Sequence, residues 1–120
     1  MYQTPTQQSR MVVQNKLETF NGVRKVYFQP PPSIKLEYPC IIYELSNYIS
    51  RESNNALYLD WPRYTVTVIS KDPEYDVPRL LRNTKGNFSF SFDRFFTYDN
   101  LNHWVFDLTV TKSIEKEQDI

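Results

Sequence analysis

The side chains able to do chemistry in this chain are few and widely spaced. His103 is the only histidine and Cys40 the only cysteine, so one chain cannot assemble a two-histidine metal site or a His-Cys-Cys zinc centre. A Cys40–His103 nucleophile pair would need both groups exposed at one cleft. Cys40 instead sits in the apolar run Pro39-Cys40-Ile41-Ile42, where a small buried hydrophobe is its ordinary role. A lone cysteine also forbids an intramolecular disulfide. Carboxylates cluster at Asp72/Glu74/Asp76 and at Asp93/Asp99/Asp107. Two of them facing each other across a cleft would make a small carboxylate-dependent hydrolase. Asp72 and Asp76, however, flank Pro73 and a helix start, where turn formation and capping account for them. The same acidic spacing falls short of a calcium loop, because Pro73 interrupts it and the glycine and twelfth-position Glu are absent. Gly22 and Gly86, the only glycines, belong to no phosphate-cradling loop. The expectation is a protein that is not an enzyme, has no catalytic, metal or cofactor-binding residues, and works through its surfaces.

The elements that position those surfaces can be read in order. Thr4-Pro5-Thr6-Gln7 is a helix start, and Val13, Leu17 and Phe20 recur at i, i+4, i+7, so an amphipathic helix is predicted over 5–20, stopped by Asn21-Gly22. Residues 23–28 form a strand ended by Pro30-Pro31-Pro32, a stiff loop expected to protrude. Residues 40–45 are apolar on both alternating sets, which places that strand centrally. Residues 46–55 have the composition of an exposed loop or hairpin arm. A short strand at 56–59 and a turn at Asp60-Trp61-Pro62 follow.

The strongest strand signal is 63–70, with Tyr64, Val66 and Val68 on one face and Thr65, Thr67 and Ile69 on the other. Asp76 is the expected cap of a short helix carrying Val77, Leu80 and Leu81 and ending near Gly86. Phe88, Phe90 and Phe92 alternate with Ser89, Ser91 and Asp93, giving one dry and one wet side. Trp104, Phe106, Leu108 and Val110 form the last strand's apolar set, closing a hairpin across 98–102. The fold class is therefore α+β, a mainly antiparallel sheet with both helices packed on one face. Its 120 residues suit a single domain over 1–111, with a charged tail at 112–120 that a partner would have to order.

Composition sharpens the functional classes. Fourteen basic and fourteen acidic side chains cancel, so the basic stripe of a nucleic-acid binder is missing. No apolar run spans a bilayer, and Met1-Tyr2-Gln3-Thr4 lacks the regions of a signal peptide, so a soluble protein made in a reducing cytoplasm is expected, with no membrane partner. Aromatics make up 16% of the chain; Trp61, Tyr64, Phe95, Phe96, Tyr98 and Trp104 are more ring surface than a small core readily hides, and such rings anchor interfaces. The polar cluster Asp93, Arg94, Asp99, Asn100, Asn102 and His103 has two readings: internal turn chemistry, or subunit contacts.

Three segments carry a resemblance: Tyr38-Pro39-Cys40-Ile41-Ile42-Tyr43, the run from Arg63 to Glu74, and the run from Phe92 to Phe106. In this order they resemble the small tail-completion, or tail-terminator, proteins of tailed bacteriophages, over roughly residues 23–110. The resemblance implies a structural virion protein: a ring, usually hexameric, that ends tail-tube polymerisation and joins the tail to the neck or connector. The implied place is the head–tail junction of the virion, after synthesis in a bacterial cytoplasm. The implied partners are further copies of the chain, tail tube protein and neck or connector proteins. Sheath protein is a further candidate, and genome DNA would only pass through the lumen. A neck or head-completion protein (a connector adaptor or stopper) is the alternative. The expected contact residues are Pro30, Pro31, Pro32, Arg51, Glu52, Trp61, Asp93, Arg94, Asp99, Asn100, Asn102 and His103, with the 112–120 tail as a further reach.

Overall fold

The computed structural model describes the backbone of residues 5–51 and 59–110, and the side chains of residues 10–46 and 63–110. Helix α1 runs Pro5–Glu18; strands β1 (Lys25–Phe28), β2 (Cys40–Arg51) and β3 (Leu59–Ser70) follow, then helix α2 (Val77–Arg82) and strands β4 (Phe88–Tyr98) and β5 (Leu101–Val110). The five strands form one sheet in the order β1-β2-β3-β5-β4. Every pairing is antiparallel except β1 with β2, which is parallel. The fold is α+β, as the periodicities predict. Among the described residues, no helix is long and apolar enough to cross a membrane.

Alternation decides which face of the sheet is dry. Ile41 and Tyr43 of β2, Tyr64, Val66 and Val68 of β3, Phe106 and Leu108 of β5 and Phe90 of β4 join one buried cluster with Val13 and Leu17 of α1 and Val77 and Leu81 of α2. Both helices therefore lie on one face, each contributing apolar residues four apart. Burying side chains of this size contributes about 1.5–3 kcal/mol each. Tyr43 ties α1 down further: its hydroxyl donates to Oε1 of Gln14 and accepts from Arg10 at 3.3 Å. The helix ends at Glu18 rather than residue 20, and Gly22, at φ +98°, makes the left-handed turn that follows.

Several boundaries differ from expectation. β1 begins at Lys25 and lies at the edge, parallel to β2. A parallel pair needs a crossover, and residues 29–39 supply one. Pro30, Pro31 and Pro32 share a recess of about 390 Å³ with Ile34, Leu36, Ile42 and Glu44. Pro31 and Pro32 are exposed, and the triproline loop borders the outer side of β2 at Ile42 and Glu44. β2 is interior, but the middle strand is β3.

The 46–55 region proves to be a hairpin arm as far as it is described, with β2 paired to β3 out to Arg51 opposite Leu59. The expected turn at Asp60-Trp61-Pro62 is strand instead, opposite Ser50, Ile49 and Tyr48. Among the described residues β5 pairs with β3 from Arg63 onward, so Pro62 has a described strand partner on the β2 side alone, a position a proline without an N–H can occupy. The short strand expected at 56–59 and the 112–120 tail lie outside the described residues, except that Leu59 opens β3.

Candidate assembly surface along the outer strand

β4 and β5 are joined by a two-residue hairpin turn. Tyr98 pairs with Leu101, and Asp99 and Asn100 between them have φ of +55° and +62°. Both central residues are left-handed, as a type I′ turn requires, and Asp and Asn are the non-glycine residues that tolerate it best. β4 is thereby held as the outermost of the described strands, with one edge paired to β5 and the other without a strand partner among the described residues.

The alternation of β4 breaks at a bulge: Phe92 pairs with Phe106, but Arg94, not Asp93, pairs with Val105. The extra residue resets which face each ring occupies. Phe92 meets Phe106 at 5.5 Å, and Phe95, three residues on, meets Trp104 at 5.3 Å on the same helix-bearing face. Phe96 is turned to the opposite face, where it stacks on His103 at 4.5 Å with 12° between the ring planes. The Arg94 guanidinium lies 5.8 Å from the Phe96 ring centre and 2.6 Å from the Asp93 carboxylate. His103 places Nδ1 3.1 Å from the Leu101 carbonyl; a carbonyl only accepts, so Nδ1 carries the hydrogen.

The rings do not all reach the core. Phe90 is buried, but Phe92 is 45% exposed, Phe95 47%, Phe96 39% and Tyr98 72%. The expectation that Phe92 sits on a wholly dry side is therefore corrected: the two helices cover β4 only as far as Phe90. The outer half of the strand carries aromatic surface on both faces, beside an edge with no strand partner among the described residues. Tyr64 and Trp104, grouped with the surface rings by composition, instead lie in and against the core.

The expected contact residues divide. Asp93 and Arg94 share the bulge, Asp99 and Asn100 form the turn, and His103 joins the Phe96 stack. Asn102 points the other way. It is 8% exposed, and its Nδ2 donates to the Ser70 carbonyl at 3.1 Å and the Lys71 carbonyl at 3.3 Å, which fixes the hairpin end against the end of β3. Pro30, Pro31 and Pro32 lie at the far side of the sheet. Arg51 and Trp61 are placed by backbone alone on the arm, and Glu52 falls outside the described residues.

The chemical candidates are also placed. Cys40 is fully buried, and burial pushes its thiol up to about 12. It pairs with Ile69, which pairs with His103, so a whole strand separates the two and they stand roughly 9–10 Å apart. Asp72 accepts from the Glu74 amide at 2.9 Å, a turn-forming bond. Asp76 precedes α2 but makes no capping bond. Its carboxylate is taken up by Arg79 at 2.7 and 2.8 Å, and that hydrogen bonding holds it below the ordinary carboxylate range. Asp99 is on the turn, and Asp93 and Asp107 share a sheet surface rather than facing walls. Among the described residues no three His, Cys, Asp or Glu side chains converge as a metal site would require. No protein-family model, curated protein or solved structure matches this chain.

Proposed function

We propose that this chain is a structural assembly protein that closes into a ring, and specifically a tail terminator at the head–tail joint of a tailed bacteriophage. One observation carries the assembly reading: the outer half of β4 keeps Phe92, Phe95, Phe96 and Tyr98 exposed beside a strand edge that has no partner among the described residues. Removing from water the exposed part of one such ring, roughly 90 Å², contributes about 2 kcal/mol. Four rings along one edge therefore supply enough surface to order a second chain against it. The α+β fold and the order of the three resembling segments along it support the narrower reading.

In a ring each subunit meets its neighbour through two different surfaces, and such contacts close when the rotation between copies is a fraction of a turn. One ring face would then copy the contacts of a tube subunit, and the other would lack the edge that recruits a further tube ring. The partners are copies of the chain, the tube protein and a neck or connector protein. The test is mixing with tube protein and imaging tube ends by negative stain. Wild type should cap tubes with rings, and a Phe95→Lys/Tyr98→Lys variant that keeps its melting temperature should not. A wild-type chain that neither forms rings nor binds tubes would overturn the reading, and capture by the connector adaptor alone would move it to the neck.

A further inference from the structure

We infer that two copies of this chain pair β4 to β4, antiparallel, about a two-fold axis that passes between Asp93 and Arg94. Residues opposite each other in an antiparallel pair must lie on the same face of the sheet. In an unbroken strand Phe92 and Phe95, three apart, would lie on opposite faces. The bulge at Asp93 puts both on the helix-bearing face, as their contacts with Phe106 and Trp104 show.

Counted outward from the axis, β4 now reads alike in both directions. Phe92 opposes Phe95 of the second copy on one face. Ser91 opposes Phe96, and Ser89 opposes Tyr98, on the other. The two bulges meet residue for residue, so neither strand has a surplus residue to accommodate.

The charges agree with this register. Asp93 and Arg94 are ion-paired at 2.6 Å and exposed. The two-fold sets Asp93 of each copy against Arg94 of the other, closing a ring of four alternating charges at the axis. A parallel, in-register partner would set Asp93 against Asp93 instead. The edge of β4, without a strand partner among the described residues, and the half-exposed rings Phe92 and Phe95 are covered in the same step.

Such a dimer masks the aromatic edge of free copies, and in the assembly reading, on which this role rests, it holds that edge back from ring closure until the tail end offers a better partner. Sedimentation velocity of the full chain over a concentration series tests the pairing. Wild type should sediment at twice the monomer mass. D93R alone and R94D alone should each weaken the dimer by about tenfold or more, by setting like charges face to face. The exchanged pair D93R/R94D should restore it to within about threefold. All variants should keep the wild-type melting temperature, since both side chains are exposed.

A folded wild type that stays monomeric at every concentration, a first assembly state that is not a dimer, or an exchanged pair that stays as weak as the single reversals would overturn the inference. The two proposals fail separately. A monomer that still caps tubes removes the dimer and keeps the ring. A dimer that never caps tubes removes the ring and keeps the dimer.

Discussion

Replacing Asn102 by Ala separates the internal from the interfacial members of the polar cluster. Asn102 is buried, and its amide donates to the carbonyls of Ser70, itself 3% exposed, and Lys71. The substitution removes two hydrogen bonds worth about 1 kcal/mol each in net terms and leaves carbonyl groups without that donor in a region with little water. A loss of about 2 kcal/mol follows. At about 4 °C per kcal/mol for a chain of this size, the melting temperature should fall by about 8 °C. Circular dichroism melts, with a urea series to confirm an unchanged m, read this directly. Arg94→Ala is the control: its side chain is 62% exposed and, among the described residues, meets Asp93 and Phe96, so stability should move by less than about 0.5 kcal/mol while self-association weakens. An Asn102→Ala variant that melts within about 2 °C of wild type, or an Arg94→Ala variant that loses as much, would show that Asn102 is not the anchor of the hairpin end.

Other outcomes follow from the same geometry. Phe106→Ala empties the fully buried position between β3 and Phe92, and its cost of about 3–5 kcal/mol should lower the urea midpoint by roughly 2 M. Tyr75 donates its hydroxyl to the Gly22 carbonyl at 2.7 Å, so Tyr75→Phe should lose about 1 kcal/mol by chemical denaturation. Cys40 is held protonated in the fold up to about 12, against 9.0 as its ordinary value. Below pH 9 both folded and unfolded chains carry the proton, so its contribution is constant. Between pH 9 and 12 the unfolded chain alone releases it, so stability falls as pH rises, by up to about 1.4 kcal/mol per unit. Cys40→Ala should flatten that slope, and a thiol reagent at pH 8 should react with wild type only once urea unfolds it.

Strict alternation was a sufficient guide for β3 and β5, whose two faces differ in kind: Tyr64, Val66 and Val68 against threonines, and Phe106 and Leu108 against Asp107 and Thr109. The 98–102 hairpin was equally readable, because the Asp99-Asn100 pair acts through local backbone chemistry. What depended on distant neighbours was hidden. Pro62 reads as a strand breaker locally, yet it pairs with Tyr48 of β2 inside β3, a placement that depends on a strand far away in sequence. The parallel placement of β1 is decided by the crossover 29–39, which carries no helical period to announce a parallel pair. Asp76 has the type and position of a cap, yet Arg79, one turn on, takes its carboxylate. Phe92 continues an apolar alternation whose dry side ends where the helices end, a boundary set by the length of α2 and not by β4. The bulge at Asp93 is also silent in composition, though Asp93-Arg94 interrupting a run of alternating Phe and Ser was its one local mark. Asn102 looked like turn chemistry and proved to be a buried anchor.

If the outer half of β4 is covered by another chain, its amides must gain protection as that chain binds. Amide hydrogen exchange read by mass spectrometry over a hundredfold range of protein concentration measures this. Exchange across Ser89–Tyr98 should slow as concentration rises, while the β2–β3 pairing at 40–45 and 64–69 should exchange at a constant rate. Exchange across β4 that stays fast and independent of concentration, and stays so when tube protein is added, would contradict that covering.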